Sequence, residues 1–220
     1  SRSSETLQLS SVSAQIWRKR EVVFYPTLWE SVNRMNSVGW AFKEWAVVVD
    51  ALKAGRQSII LRKGGVAERG GEFRVDHDRF WLFPTFEHQN AAELKPEAHE
   101  TLTRLTREAP KDRTVPIDTL AEVERVWFVD DLERLHALDH LCIWSRASVE
   151  KRFAYGGKLG LYVIAVHTRV LEKPAVIADL PRYVGCRTWV DLDAPIAPPP
   201  APPTTIRCAI ADEVAAILAR

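Results

Sequence analysis

The stretch LGLYVIAVHTRVL, residues 159–171, limits the architecture more than any other part of the chain. It is the longest apolar run, and its enrichment in Val, Ile and Tyr predicts a central strand. Shorter strands are expected at QSIILR (57–62), Phe73 to Val75, Phe80 to Phe83, EVERVWFV (122–129), CIW (142–144) and TWVDL (188–192). Pro84 is expected to stop its strand, because it has no amide hydrogen for a ladder. Pro110 and Pro116 are expected to bracket an extended connection.

Helices are predicted from a different period. Val38, Ala41, Phe42, Trp45, Val48, Val49 and Leu52 recur at i, i+3/i+4, as on one face of a helix that Gly55 can close. Pro96 suits a first helical turn ahead of Glu97–Glu108, and Asp130-Asp131 can cap a helix running through Leu138. Ser145 is the expected N-cap of ASVEKRF, residues 147–153. Strands outnumber helices, and whole hairpins separate the helices. That pattern fits an α+β domain with a mixed or barrel-like sheet and flanking helices better than a doubly wound fold.

The chain divides on composition into a Ser-rich and basic segment 1–34, a single domain 35–193, a Pro-rich linker 194–203 and a C-terminal helix 204–220. Residues 1–34 are either an extension upstream of Met35 or an arm whose VVFYPTLW packs on the domain. The final helix, with Ile210, Val214, Ile217 and Leu218 on one face, could dock to a protein partner.

Net charge is +1, so any nucleic-acid field must come from local clustering. Cys142, Cys186 and Cys208 show no paired spacing, which excludes a disulfide framework or a conventional zinc cluster and fits the reducing cytoplasm. No apolar run approaches the roughly 18–20 residues that span a bilayer. The common nucleotide, serine-hydrolase and zinc-protease motifs are not in the sequence, so it implies no cofactor and names no catalytic residue.

Four clusters carry chemistry. Arg62-Lys63-Gly64-Gly65 offers cations beside glycines that let backbone amides approach an anion; it could equally be a solvated turn. Asp76-His77-Asp78 with Glu87-His88 has donors for a divalent metal or acid–base pair, as a metal-dependent nuclease would need, though the spacing matches no signature. Phe80 and Leu82 should face one side of their strand, Trp81 and Phe83 the other. One side is core; the other is a second core layer or a stacking platform for a base. Residues 144–158, WSRASVEKRFAYGGK, interleave Trp144, Phe153 and Tyr155 with Arg146, Lys151, Arg152 and Lys158, against Glu150 alone. They form a phosphate-binding footprint or an amphipathic helix with solvated cations. His136, His140 and His167 are expected to be structural.

WAFKEWAVVVDALKAGRQSIILRKGGV, FWLFPTFEHQ, RFAYGG and LPRYVGCRTWVDL together resemble a bacterial domain-of-unknown-function family, numbered eighteen hundred and two, over roughly Trp40 to Leu192. Its members are sometimes found near or fused to restriction-endonuclease-like modules, and no catalytic residue is established for it. ALKAGRQSIILRK is also similar to the opening of ASCH and PUA-like β-barrels, which often bind RNA or read modified bases. The basic and aromatic clusters, taken with these resemblances, suggest a nucleic-acid-binding accessory module, in a restriction or defence context as the family's company implies. In it, Arg62, Lys63, Arg146, Lys151, Arg152 and Lys158 contact phosphate, Trp81, Phe86 and Tyr155 stack on or enclose a base, and His88 and Gln89 bond its edge.

Overall fold

The structure is a computed structural model that describes residues 21–22, 37–63, 75–185, 187–199 and 209–220. Its frame is a mixed sheet of seven strands: β1 (Glu21–Val22), β2 (Val38–Trp45), β3 (Ile59–Arg62), β4 (Arg79–Thr85), β5 (Thr114–Val129), β6 (Leu161–Ala178) and β7 (Trp189–Ile196). The order is β3-β6-β5-β4-β2-β7, with β1 paired to β5. β2 and β4 run parallel and the remaining pairs are antiparallel. The helices are α1 (Ala46–Lys53), α2 (His99–Glu108), α3 (Leu132–Ala137), α4 (Arg146–Ala154) and α5 (Ala209–Leu218). The α+β class expected from sequence is therefore the one found. The barrel-like closure is not: among the described residues β3 and β7 are open ends of the strand order.

β6 extends the apolar run to eighteen residues and lies against β5 from Thr114↔Ala178 to Val129↔Leu161. Two irregularities bend this ladder. Between Ile117 and Thr119 the register slips by several residues on β6, around Pro174, which has no N–H for the ladder. A second bulge falls at Glu124. Bends of this kind let one pair of strands serve cores on both faces of the sheet. One core holds Phe42, Phe80, Leu82 and the helices; the other holds Ala41, Trp81, Phe83, Ile117 and Val190.

The residues expected to start a helix at Val38 instead form β2, and the helix starts only at Ala46. β2 lies between β4 and β7 with a core on each side: Phe42 joins the first and Ala41 the second, both fully buried. A strand buried on both faces reads as a nearly continuous apolar run, which periodicity alone does not separate from a buried helix. The helix end is as expected. Gly55, at φ 69°, sits at C′, with Gly55 N–H donating to Leu52 O (3.2 Å) and Arg56 N–H to Ala51 O (2.9 Å), a Schellman closure.

Three smaller expectations are corrected. Pro84 lies inside β4, opposite Glu44, beyond the Arg79–Trp81 stretch that registers with β5, where the β5 ladder has already ended. Pro116 is within β5. CIW contributes only an isolated bridge, Leu94↔Trp144. Asp131 and Ser145 cap α3 and α4 as expected, accepting N–H bonds from Glu133 and Ser148 at 3.0 and 3.3 Å. Helix α5 lays Ala211 and Val214 into the first core, and the Ala211 N–H donates to Glu124 at the β5 bulge (3.1 Å). Its apolar face is thus occupied by the chain's own core. Of residues 1–34, Glu21–Val22 pair with Val126–Trp127; the rest, like the Gly64-Gly65 turn, Phe73, Cys186 and Cys208, lie outside the described residues.

Arg169 is buried on β6 and pairs with Glu122 of β5 at 2.6 Å, while also donating to Pro199 O beyond β7. Removing one member of such a pair leaves a buried charge uncompensated, which costs about 3–5 kcal/mol. Arg169→Ala is expected to lower the urea midpoint by a corresponding amount, and the double variant with Glu122→Gln to recover part of the loss. Equal stability of Arg169→Ala and the wild type would contradict this assignment.

Candidate functional site

The polar and aromatic chemistry predicted from sequence separates into two regions joined through the end of β3. The first is the loop after α4. Ser145 starts α4, the Tyr155-Gly156-Gly157 turn ends it, and Gly160, at φ 124°, leads into β6. A Cβ on Gly160 would stand 2.4 Å from the Phe128 ring, so the chain passes here only as glycine. Lys63 fixes this loop from β3, with its ammonium donating to the carbonyls of Phe153 (2.6 Å), Lys158 and Gly160 (3.0 Å). Burial, and then the nearby Lys158, lower the Lys63 pKa from its ordinary value. Arg62 is likewise engaged, donating to Lys43 O (2.7 Å) and lying 4.4 Å over the Phe42 ring. Both cations expected at phosphate therefore serve the fold.

Within residues 144–158 the structure divides the side chains. Trp144 and Phe153 are buried, and the Arg152 guanidinium stacks 3.5 Å from the Trp144 ring centre while reaching Glu93 at 3.4 Å. Such a partly buried cation–π contact contributes on the order of 1 kcal/mol. Arg152 is thus a packing residue. Arg146, Lys151, Tyr155 and Lys158 remain exposed, Tyr155 at 68%. Lys151 touches Glu93 at 3.5 Å, and Lys158 lies 5.3 Å over Phe128. Glu150, the only acid in the segment, reaches His136 at 3.2 Å.

Trp81 is fully buried in the second core, so it cannot stack on a base; both faces of β4 are core. Gln89 is also withdrawn. Its Oε1 accepts the Val47 N–H at 3.0 Å, capping α1 in place of a side chain at Trp45, and its amide donates to Phe86 O at 3.3 Å. Phe86 is half-buried beside it, and His88 is exposed at φ 61°. His77 precedes β4 and His88 follows it, which at about 3.3 Å per residue separates them by roughly 20 Å. They cannot share a metal. Among the described residues no group of His, Cys, Asp and Glu is arranged to hold one. His136 and His140 meet Glu150 and Glu213 (3.2 and 2.8 Å), as structural histidines do. Burial pushes the Cys142 thiol up from its ordinary value, which keeps it protonated and unreactive.

In the second region the sequence singled out Asp76-His77-Asp78 but not the aromatic stack that holds His77. Trp40 on β2, exposed at 39%, stacks on His77 with ring centres 4.2 Å apart and planes 19° apart. His77 meets the Trp189 ring edge-on at 5.0 Å, and Trp189 meets Phe42 and Phe80 in the same way. The stack is built by register: Phe42 pairs with Trp189 and Trp40 with Asp191 across the β2–β7 ladder. Arg62 over Phe42 and Lys63 next to it join this stack to the α4 loop. A cleft of about 380 Å³ opens along the outer edge of β7, lined by Trp189, Asp191, Arg182 and Arg187 among others. Its far wall, the 181–185 loop, is held by Lys43, which donates to Tyr183 O and Gly185 O. The advance signals were the Asp76-His77-Asp78 cluster, read as metal or acid–base donors, and Trp40 and Trp189 on separate predicted elements, with nothing to pair them.

Desolvation lowers the His77 pKa from its ordinary 6.5, opposed by Asp76, Asp78 and Asp191. A folded pKa below the unfolded one means that the unfolded chain takes up the proton first. The stability His77 contributes is therefore present above pH 6.5 and lost as pH falls towards its folded pKa. Denaturation at pH 7.5 and pH 5 is expected to show a smaller loss on acidification for His77→Phe, which keeps the stack, than for the wild type. An unchanged difference would mean that His77 does not carry this dependence.

Comparison with known proteins gives one family and one structural likeness. The family described as "Domain of unknown function (DUF1802)" matches residues 41–206. The crystal structure of ASCH from Zymomonas mobilis is similar at 12% identity and TM-score 0.37, over 61% of this chain and 68% of that one. A point mutant of that protein is similar at 12% identity and TM-score 0.39, over 64% and 73%. No curated protein matches.

Proposed function

The chain belongs to the DUF1802 family, and from that premise, which brings no reaction with it, we propose that it is a nucleic-acid-binding module contacting phosphate through the α4 loop. One observation carries the reading: Tyr155 stands exposed in a row of exposed cations, with Lys151 one helical turn before it, Lys158 after it and Arg146 at the first turn of α4. Of the two nearby acids, Glu150 is turned to His136 and Glu93 reaches Lys151 at 3.5 Å and the packed Arg152 at 3.4 Å. Lysines and arginines that neutralise phosphates release condensed counterions, and an exposed ring offers a base a stacking face. Base reading in a restriction or defence setting is the finer form of the proposal, resting on the restriction-linked company of family members. The separation of His77 from His88 argues against the metal-dependent nuclease, and the burial of the α5 face against a partner docking on that face. No helix among the described residues is long and apolar enough to cross a membrane.

The test is binding of short single-stranded DNA and RNA, followed by anisotropy as salt is raised. Three neutralised phosphates give a log–log slope of about −2, and Lys158→Ala should flatten it by about 0.7. Tyr155→Ala should weaken binding by about 1–3 kcal/mol and leave the slope unchanged. Binding that is missing at the lowest salt, or that ignores salt, rejects the proposal.

A further inference from the structure

The Trp40–His77–Trp189 stack and the cleft beside β7 share no residue with the α4 loop, and their chemistry is different. Three carboxylates, Asp76, Asp78 and Asp191, all approach His77 closely enough to act on its charge. No side-chain hydrogen bond or ion pair to another described residue engages these carboxylates, so their oxygens are open to a donor from outside. Asp191 combines two placements: it is the cross-strand partner of the exposed Trp40 and it lines the cleft. Arg187, exposed on the same cleft, is the cation not held by Asp193, which pairs with Arg182.

We propose that the mouth of this cleft, where Asp191 of the lining meets Trp40 across the β2–β7 ladder, is a site for a single guanine nucleotide, with the base on the Trp40 face that His77 leaves open and against Asp191, and the phosphate at Arg187. The argument is one of donors and acceptors. An ionised carboxylate accepts hydrogen bonds and cannot give them. Guanine presents two adjacent donors, N1–H and the exocyclic amine, that match the two oxygens of one carboxylate. Adenine and cytosine set a ring acceptor beside their amine, and uracil flanks its one N–H with carbonyls, so each brings a lone pair against the carboxylate. Stacking on the indole is available to every base and supplies affinity without choice. The guanidinium of Arg187 suits phosphate, which the carboxylates would repel. A cleft of about 380 Å³ lies within the roughly 300–1,000 Å³ of small-ligand sites. This deepens the nucleic-acid reading by naming the base an extruded nucleotide presents, and it depends on that reading only for the nucleotide's source.

Calorimetry of the full chain with the four nucleoside monophosphates tests it. Guanosine monophosphate is expected to bind at least roughly tenfold tighter than the others, the size of one well-made bidentate base contact. Asp191→Asn, on the surface, should erase that preference with the circular dichroism spectrum unchanged. Arg187→Ala should weaken guanosine monophosphate but not guanosine, and Trp40→Ala should weaken all four nucleotides alike. Equal affinity for the four, a preference that survives Asp191→Asn, or selective uptake of methylated-lysine or arginine peptides instead would overturn the site. Salt-dependent oligonucleotide binding with no guanosine monophosphate binding defeats this inference and leaves the α4-loop proposal standing. The reverse result upholds the site and rejects the α4-loop proposal.

Discussion

The ladder between β5 and β6 is what the rest of the molecule hangs from. It joins long strands that are each buried where helices or the second core cover them, and it bends twice without breaking. The bulge at Glu124 turns one carboxylate out of the ladder to receive the first turn of α5. Further along, the buried Arg169–Glu122 pair crosses between the same two strands and reaches the segment after β7. Sheet curvature, C-terminal closure and the anchoring of residues 197–199 therefore share one cause.

Several cations among the described residues hold loops or pack on rings instead of facing solvent. Lys63 gathers three carbonyls of the α4 loop, Lys43 fixes the wall of the β7 cleft, and Arg62 and Arg152 lie on aromatic faces. A loop whose orphan carbonyls are gathered by one ammonium is rigid without its own secondary structure. The α4 loop is fixed in this way, while Trp40, Trp189 and Asp191 stand on the paired strands β2 and β7, and preorganisation of either kind lowers the entropy cost of binding. The two surfaces are also opposite in charge. The α4 loop carries exposed cations, while three carboxylates lie near His77.

Much of the secondary structure was legible because its signals are local. The C′ glycine at Gly55, the caps at Asp131 and Ser145, and the β-branched run of β6 act through neighbouring backbone groups alone. The α+β class followed from counting such elements. The site was far less legible. Basic and aromatic residues of 144–158 read alike in sequence, yet Arg152 and Phe153 turn inwards while Lys151 and Tyr155 turn outwards. Gln89 looked like an edge reader and is a helix cap supplied from 42 residues away.

The sequence alone determined which segments could be strands, where helices close, and that no motif of a common enzyme class is present. These depend on backbone propensity, capping and turn chemistry within a few residues. Only the tertiary structure decided that β2 is a strand, that Trp81 is core, and that Trp40, His77 and Trp189 form one stack. Each of those follows from strand register and from which sheet face a core covers, and register is a relation between segments far apart in the chain.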